Sequence, residues 1–394
     1  MTERSLGHAT LGLVALAALL RVAAAVALGD GFYFTDETEY VDAADRLRAG
    51  GGFDVHYTRV PAFPLILAPL RALAPQHLRT VRILHGVVAA GGTVLVVTLG
   101  TQLLGRRAAL VGGLLYAVDP MMVAAGGLLY PEAMGAIALL VALWAALAAV
   151  RDDRPGRAAV AGVALGVLAQ LRPVGLVLVP ALAVWIGLAA ETTAARRARH
   201  AAAVVLGCAL ALAPWTYRGY RVHGGFVPIA TEGTAAAPVG RERVETRGLV
   251  GALVEEAWKE PLPFVSHITR ELGHFFELYP QRLATDNPES RAEIHGHDSR
   301  LPSSSVVPSR PRDVVSALTF GPELLLALVG LAAGWRDRRS AVLLLAGGTV
   351  CYGLGYALFV GKLRYRIPVL PLLFLLAGYG AVTLARRRAR ARST

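Results

Sequence analysis

Ten apolar stretches, most of them close to 20 residues long, run through this chain at roughly 9–28, 83–104, 108–128, 133–150, 158–171, 173–190, 201–217, 318–335, 340–361 and 367–385. A hydrocarbon core takes about 20 apolar residues per helix, and lipid offers no partner for open backbone groups. Such a chain folds as an all-α polytopic membrane protein. The composition agrees, with 55% hydrophobic and 17% charged residues over 394 positions. The stretches at 158–171 and 173–190 are separated only by Arg172-Pro173, so they read either as a tight hairpin or as one kinked helix.

Charge decides between these. Arg106-Arg107, Arg151 to Arg157, Arg196 to Arg199, Arg336 to Arg339 and Arg386 to Arg392 fall in alternate connections, all on one side if the hairpin is real. Cytoplasmic loops collect arginine and lysine, so ten spans place both termini in the cytoplasm of a cell-membrane protein. The opposite, outer side then carries residues 29–82, Tyr130-Pro131-Glu132, Arg172-Pro173, a loop over 218–317 and Lys362 to Arg366. A cleavable leader is the competing reading of the first stretch. That run is longer than a leader core, and Arg21 interrupts it near its outer end, where a guanidinium can snorkel.

The expected organisation is a core over 1–217 with a chemistry-bearing first outer loop (29–82), a small helical outer subdomain over 218–317, and final spans with a basic tail over 318–394. The 218–317 segment holds nine of 22 prolines, yet also Trp258, Phe264, Phe275, Phe276 and Tyr279, and it ends in a Pro/Ser-rich stretch from Leu301 that reads as flexible. Although the net charge is +12, 38 of the 40 cations are arginine, a compositional bias that by itself points to no nucleic acid. Cys208 and Cys351 lie in apolar stretches without ligand spacing, and His295-Gly-His297 stands alone in a polar loop, so neither suggests a metal site.

Chemistry-bearing residues collect at the outer boundary. Asp36 and Glu37 follow the first span directly, where paired carboxylates are costly unless solvated, paired or used. A capping arrangement of Thr35 and Asp36 with Glu39 is the plain alternative. Tyr40, Ala43, Ala44 and Leu47 before Gly50-Gly-Gly52 fit an interfacial amphipathic helix, and Arg59-Val-Pro-Ala-Phe-Pro64 leads into an apolar piece too short to cross. Glu132 opens the fourth span, and Asp119 before Pro120 is a third acid. Against the positive-inside trend, Arg172, Arg218, Arg221, Lys362, Arg364 and Arg366 lie outside, where a phosphate is a natural partner for a guanidinium fork.

In this order the features resemble the bacterial dolichyl-phosphate-mannose-protein mannosyltransferase-like glycosyltransferases of the GT-C class, the group that includes the lipid A aminoarabinose transferase. The carriers are Asp36-Glu37 with Tyr40, Arg59 to Pro64, Tyr130-Pro-Glu132, Leu171-Arg-Pro173, Pro214-Trp215 through Thr231, and Arg364-Tyr-Arg-Ile-Pro-Val-Leu-Pro371. The resemblance implies transfer of a sugar from a polyprenyl-phosphate donor to a glycan, lipid or protein acceptor on the outer face, with inversion and with Asp36 as base. It further implies Arg364, Arg366, Lys362 and Arg172 around the donor phosphate, and Tyr40, Arg59, Arg218 and Tyr365 positioning substrate. Glu37 and Glu132 would orient hydroxyls or hold a divalent cation if one is used. Gly219 stands where many relatives carry Asn, and the short outer loop disfavours an oligosaccharyltransferase. The rival class is a secondary transporter or lipid flippase. It would show paired repeats and ionisable groups at mid-membrane, whereas by sequence the mid-span regions look nearly free of charge.

Overall fold

The computed structural model describes residues 2–55, 57, 59–189, 192–224, 229, 239, 241–278 and 309–392, and these are helical throughout apart from turns and connections. Tyr279, His295, His297 and the Pro/Ser stretch from 301 to 308 lie outside the described residues.

The chain opens with α1 (Glu3–Leu28), whose first turn is capped by the Thr2 hydroxyl accepting from the Ser5 N–H at 3.3 Å. Two short helices follow, α2 (Thr35–Arg48) and α3 (Ala62–Leu73), where the sequence predicts a short amphipathic helix and an apolar piece too short to cross. They are joined by a bidentate pair from Arg71 to Asp45 at 2.9 and 2.7 Å and by Tyr40 set edge-on to Phe63. Gly50 adopts φ +79, the left-handed turn that stops α2 where the glycine run predicts.

Long helices then run through the bundle: α4 (Leu78–Leu103), α5 (Arg106–Val118) with α6 (Pro120–Gly127), α7 (Glu132–Asp152), α8 (Pro155–Leu171), α9 (Leu178–Ala189) and α10 (Ala194–His223). After α11 (Arg241–Lys259) and α12 (Pro261–Phe275) come α13 (Ser309–Asp337), α14 (Arg339–Ala357) and α15 (Leu370–Ala391). Among the described residues, seven helices are long and apolar enough to cross a membrane, or eight with α5 and α6 taken as one bent span. The remaining two expected spans correspond to shorter apolar helices, α8 and the 173–189 segment, separated by an extended Arg172 and a 3-10 turn over Pro173–Val177. The ten-span expectation thus maps element by element, with two members short of full length.

Close packing rests on small residues, as it does where lipid gives no hydrophobic drive between helices. A Cβ on Gly162 of α8 would strike the Val204 carbonyl of α10, and one on Gly207 would strike the Ala159 carbonyl. The same reciprocal contact joins Gly330 of α13 to the Leu376 carbonyl and Gly380 of α15 to the Leu326 carbonyl. Gly162→Ala is therefore expected to destabilise by about 1–3 kcal/mol through overpacking. Gly156→Ala, where a Cβ meets nothing within 4 Å, should be near neutral in the same thermal unfolding series in detergent.

The bundle interior is not free of charge, a difference from the sequence expectation. Arg21 does not snorkel: it is fully buried and donates to the Tyr116 and Ala117 carbonyls at 2.9 and 3.2 Å. Those carbonyls end α5 at a 53° break, so the arginine satisfies acceptors that a continuous helix would have used itself. Across the break, the Asp119 carboxylate accepts from the Met122 N–H at 2.8 Å and caps α6, which accounts for that acid structurally. Glu323 of α13 is buried too. A hydropathy scan averages over neighbours, so one charge in a long apolar helix barely registers.

Candidate functional site

Four connections meet at one end of the bundle: the start of α2, the turn before α7, the turn after α8 and the 3-10 segment Leu363–Val369 before α15. The sequence of each places a charge there, and the tertiary contacts pair them.

Asp36 stands in the first turn of α2, where a helix N-terminus favours negative charge. Its Oδ1 accepts from Arg59 Nη2 at 3.0 Å and its Oδ2 from Arg364 Nη2 at 2.9 Å. Arg59 also binds Glu39 and lies over the Tyr40 ring. Beside this cluster the Glu132 Oε1 accepts from Arg172 Nη2, with Arg364 Nε 3.9 Å from the same oxygen. An aromatic wall backs the cations: Arg364 sits 4.8 Å from the Tyr130 ring centre, and Arg172 lies over Tyr365, which stacks on Tyr356 at 4.4 Å. Among the described buried polar atoms without a hydrogen-bond partner, three lie at this site: Glu132 Oε2, Arg172 Nε and Arg364 Nε. Unmade bonds on two guanidinium groups in one place mark a position with unused capacity for an anion.

Burial would raise the Asp36 pKa, but the guanidinium groups of Arg364, Arg59 and Arg172 outweigh it and hold the carboxyl below its ordinary value of 3.8. Burial pushes the Tyr130 and Tyr40 hydroxyls up, so both stay neutral. A depressed folded value means that the stability supplied by Asp36 is present above the ordinary carboxylate pKa and is lost as pH falls through the folded one. Asp36→Asn should accordingly flatten the acid limb of a pH-unfolding series below about pH 4, while removing little of its slope between pH 5 and 7.

The remaining candidates are placed elsewhere. Glu37 is fully buried and its Oε1 accepts from Arg82 Nη1 at 2.6 Å and the Leu129 N–H at 2.9 Å; its Oε2 accepts from the Tyr33 N–H at 2.8 Å. It therefore ties the first loop to the segment that presents Tyr130 and Glu132; the N-cap residue of α2 is Phe34, which makes no side-chain cap bond. Arg366 is fully buried away from Asp36, over the Phe320 ring and donating to the Glu277 carbonyl at 2.6 Å. Arg218 donates to the Asp54 carbonyl and covers Trp215, bracing the far part of the first loop. Lys362 is exposed. Arg82 was not singled out by sequence; its signal is an arginine opening an otherwise apolar span. Asp36, Glu37 and Glu132 are each paired with a guanidinium group, and among the described residues no three acidic, histidine or cysteine side chains converge.

Residues 58–217 match the family model described as dolichyl-phosphate-mannose-protein mannosyltransferase. No curated protein matches the chain. Among solved structures, the apo oligosaccharyltransferase of Archaeoglobus fulgidus aligns with a TM-score of 0.61 at 14% identity, over 98% of this chain and 51% of that one. ArnT from Cupriavidus metallidurans bound to undecaprenyl phosphate aligns with a TM-score of 0.58 at 16% identity, over 94% of this chain and 59% of that one. The chain thus spans between half and two thirds of the length of these two structures. It is a membrane protein of GT-C glycosyltransferase fold, like the protein mannosyltransferases in sequence over 58–217 and like ArnT in fold over nearly its whole length.

Proposed function

We propose that this protein transfers a sugar from a polyprenyl-phosphate donor to an acceptor hydroxyl at the outer face of the cell membrane, with inversion at the anomeric carbon. One observation carries the reading: Asp36 lies in direct contact with Arg364, next to Arg172 and Glu132, at a single end of the bundle where two guanidinium groups retain unused donors. The acceptor oxygen attacks the anomeric carbon as its proton passes to the Asp36 carboxylate. The bond from that carbon to the phosphate oxygen breaks, and the electron pair leaves with the lipid phosphate.

That phosphate is already a stable anion and needs no general acid. It needs positive charge in a poorly solvated place, which Arg364 and Arg172 supply against the aromatic wall. Glu132 orients Arg172 and keeps one oxygen for a sugar hydroxyl. Glu37 serves as a strut between the two acid-bearing loops. The Arg-rich connections at the other end fit a cytoplasmic side, with both termini there.

The test uses purified wild type and Asp36→Asn, a panel of radiolabelled polyprenyl-phosphate sugars and membrane extract as acceptor. Release of free polyprenyl phosphate by wild type alone is the expected result. Equal turnover by both would remove Asp36 from the chemistry. Failure of both with every donor, with lipid binding retained, would favour a lipid transporter instead.

A further inference from the structure

The short stretch of chain that carries Arg364 is held at both ends by one helix, α12. At its start, the Gly361 N–H donates to Glu271 Oε2 at 2.8 Å. A Cβ on Gly361 would stand 2.0 Å from the Glu271 carbonyl oxygen, so only glycine lets the two backbones lie this close. At its other end, Arg366 Nη1 donates to the Phe275 and Glu277 carbonyls at 3.5 and 2.6 Å. These carbonyls lie where α12 finishes, at a helix end that leaves acceptors open and favours a cation. Between the two ends, the Phe275 ring stacks on Tyr356 at 6.2 Å, and Tyr356 stacks in turn on Tyr365.

Glu271 and Arg366 are both buried, at 3% and 0% exposure. The transfer chemistry uses neither side chain, and a buried charge is costly unless its bonds compensate. The Glu271 carboxylate has Arg270 Nε 3.6 Å from its Oε1, and its Oε2 is given to a backbone N–H of the Arg364 stretch. Arg364 itself lies three residues after Gly361 and two before Arg366, in a 3-10 segment that advances about 2 Å per residue. Release of either end therefore displaces the guanidinium. Its bond to Asp36 is 2.9 Å long, and such bonds hold only between about 2.7 and 3.2 Å.

We propose that Glu271 and Arg366 are positioning residues, which fix Arg364 at the donor phosphate by clamping its segment to α12. The clamp rests on the reading of Arg364 as a phosphate ligand. It acts on the backbone to either side of that residue and touches no reacting atom.

Titration of the full-length protein with undecaprenyl phosphate, followed by native mass spectrometry from detergent, reads the clamp through a double-mutant cycle. Glu271→Ala should weaken binding by about tenfold, and Arg364→Gln by at least as much. In the Arg364→Gln background, Glu271→Ala should cost nothing further, because the clamp works only through that guanidinium. Glu271→Gln keeps an oxygen for the Gly361 N–H and should bind within about twofold of wild type. Glu271→Asp withdraws the acceptor by one methylene yet keeps the charge, and it takes the place of Glu271→Ala in the cycle if the alanine variant does not fold. Wild-type affinity in the Glu271 variant, beside a loss in Arg364→Gln, would overturn the clamp and leave the transfer reading standing. Additive losses in the cycle, or a loss in Glu271→Gln as large as in Glu271→Ala, would also overturn it. No loss in Arg364→Gln would overturn the phosphate reading beneath it.

Discussion

Asp36→Asn is expected to lower sugar transfer by about 10²–10⁴-fold, the usual contribution of a positioned general base, while binding free polyprenyl phosphate more tightly than wild type does. The second half of that expectation is the more discriminating. The Asp36 carboxylate accepts from Arg364, the cation that the proposed mechanism offers to the donor phosphate. Carboxylate and phosphate compete for one guanidinium, and a carboxylate held below its ordinary pKa by arginines is a poor base. In the proposed mechanism, donor binding that draws Arg364 onto phosphate would both seat the leaving group and release Asp36 to accept a proton. Asparagine is nearly isosteric but neutral, so it removes the competitor without opening a cavity. A gain of about three- to tenfold in affinity corresponds to about 0.7–1.4 kcal/mol, modest for a charge-assisted bond. Titration of both proteins with undecaprenyl phosphate by native mass spectrometry reads it directly. Unchanged affinity alongside lost turnover would keep Asp36 as the base and remove the competition.

The largest stability effect is expected at Arg82 and Glu37. Both side chains are fully buried, so Arg82→Met leaves an uncompensated carboxylate and Glu37→Gln an uncompensated guanidinium. Breaking a buried pair from one side costs about 3–5 kcal/mol, whereas replacing both partners is often near neutral. The double variant Arg82→Met, Glu37→Gln should therefore unfold in detergent closer to wild type than either single variant. Its transfer activity should nevertheless stay low. Glu37 also accepts from the Leu129 and Tyr33 N–H groups, and a glutamine amide cannot hold both loops as a carboxylate does. Stability restored without activity would identify the pair as the strut that sets Asp36 against Glu132. Activity restored with stability would show that no such positioning exists.

Much of this molecule is legible in one dimension. Span positions follow from local hydropathy, and the alternation of arginine clusters follows from chain connectivity; both survive averaging over a window. The two short helices of the first loop were also readable, since α2 announces itself by a glycine stop and α3 by being too short to cross. Arg21 shows where that reading fails. Near the end of an apolar run it looks like a snorkelling cation, but the break between α5 and α6 frees carbonyls that only the fold brings within its reach.

At the site, the sequence by itself determined which residue types are present and that they gather at one end, because loops alternate between the two ends of a bundle. Which of two neighbours faces the chemistry was decided by tertiary structure. Asp36 and Glu37 are adjacent, but successive residues on an α-helix point about 100° apart, so one meets Arg364 and the other Arg82. Arg364 and Arg366 lie in a 3-10 segment, where two positions turn the side chain by about 240°. One therefore reaches Asp36, and the other enters the interior over the Phe320 ring. A string such as Arg-Tyr-Arg carries the charge, but the backbone conformation that sends each guanidinium to its own side is set by packing against α7 and α12, which no local pattern encodes.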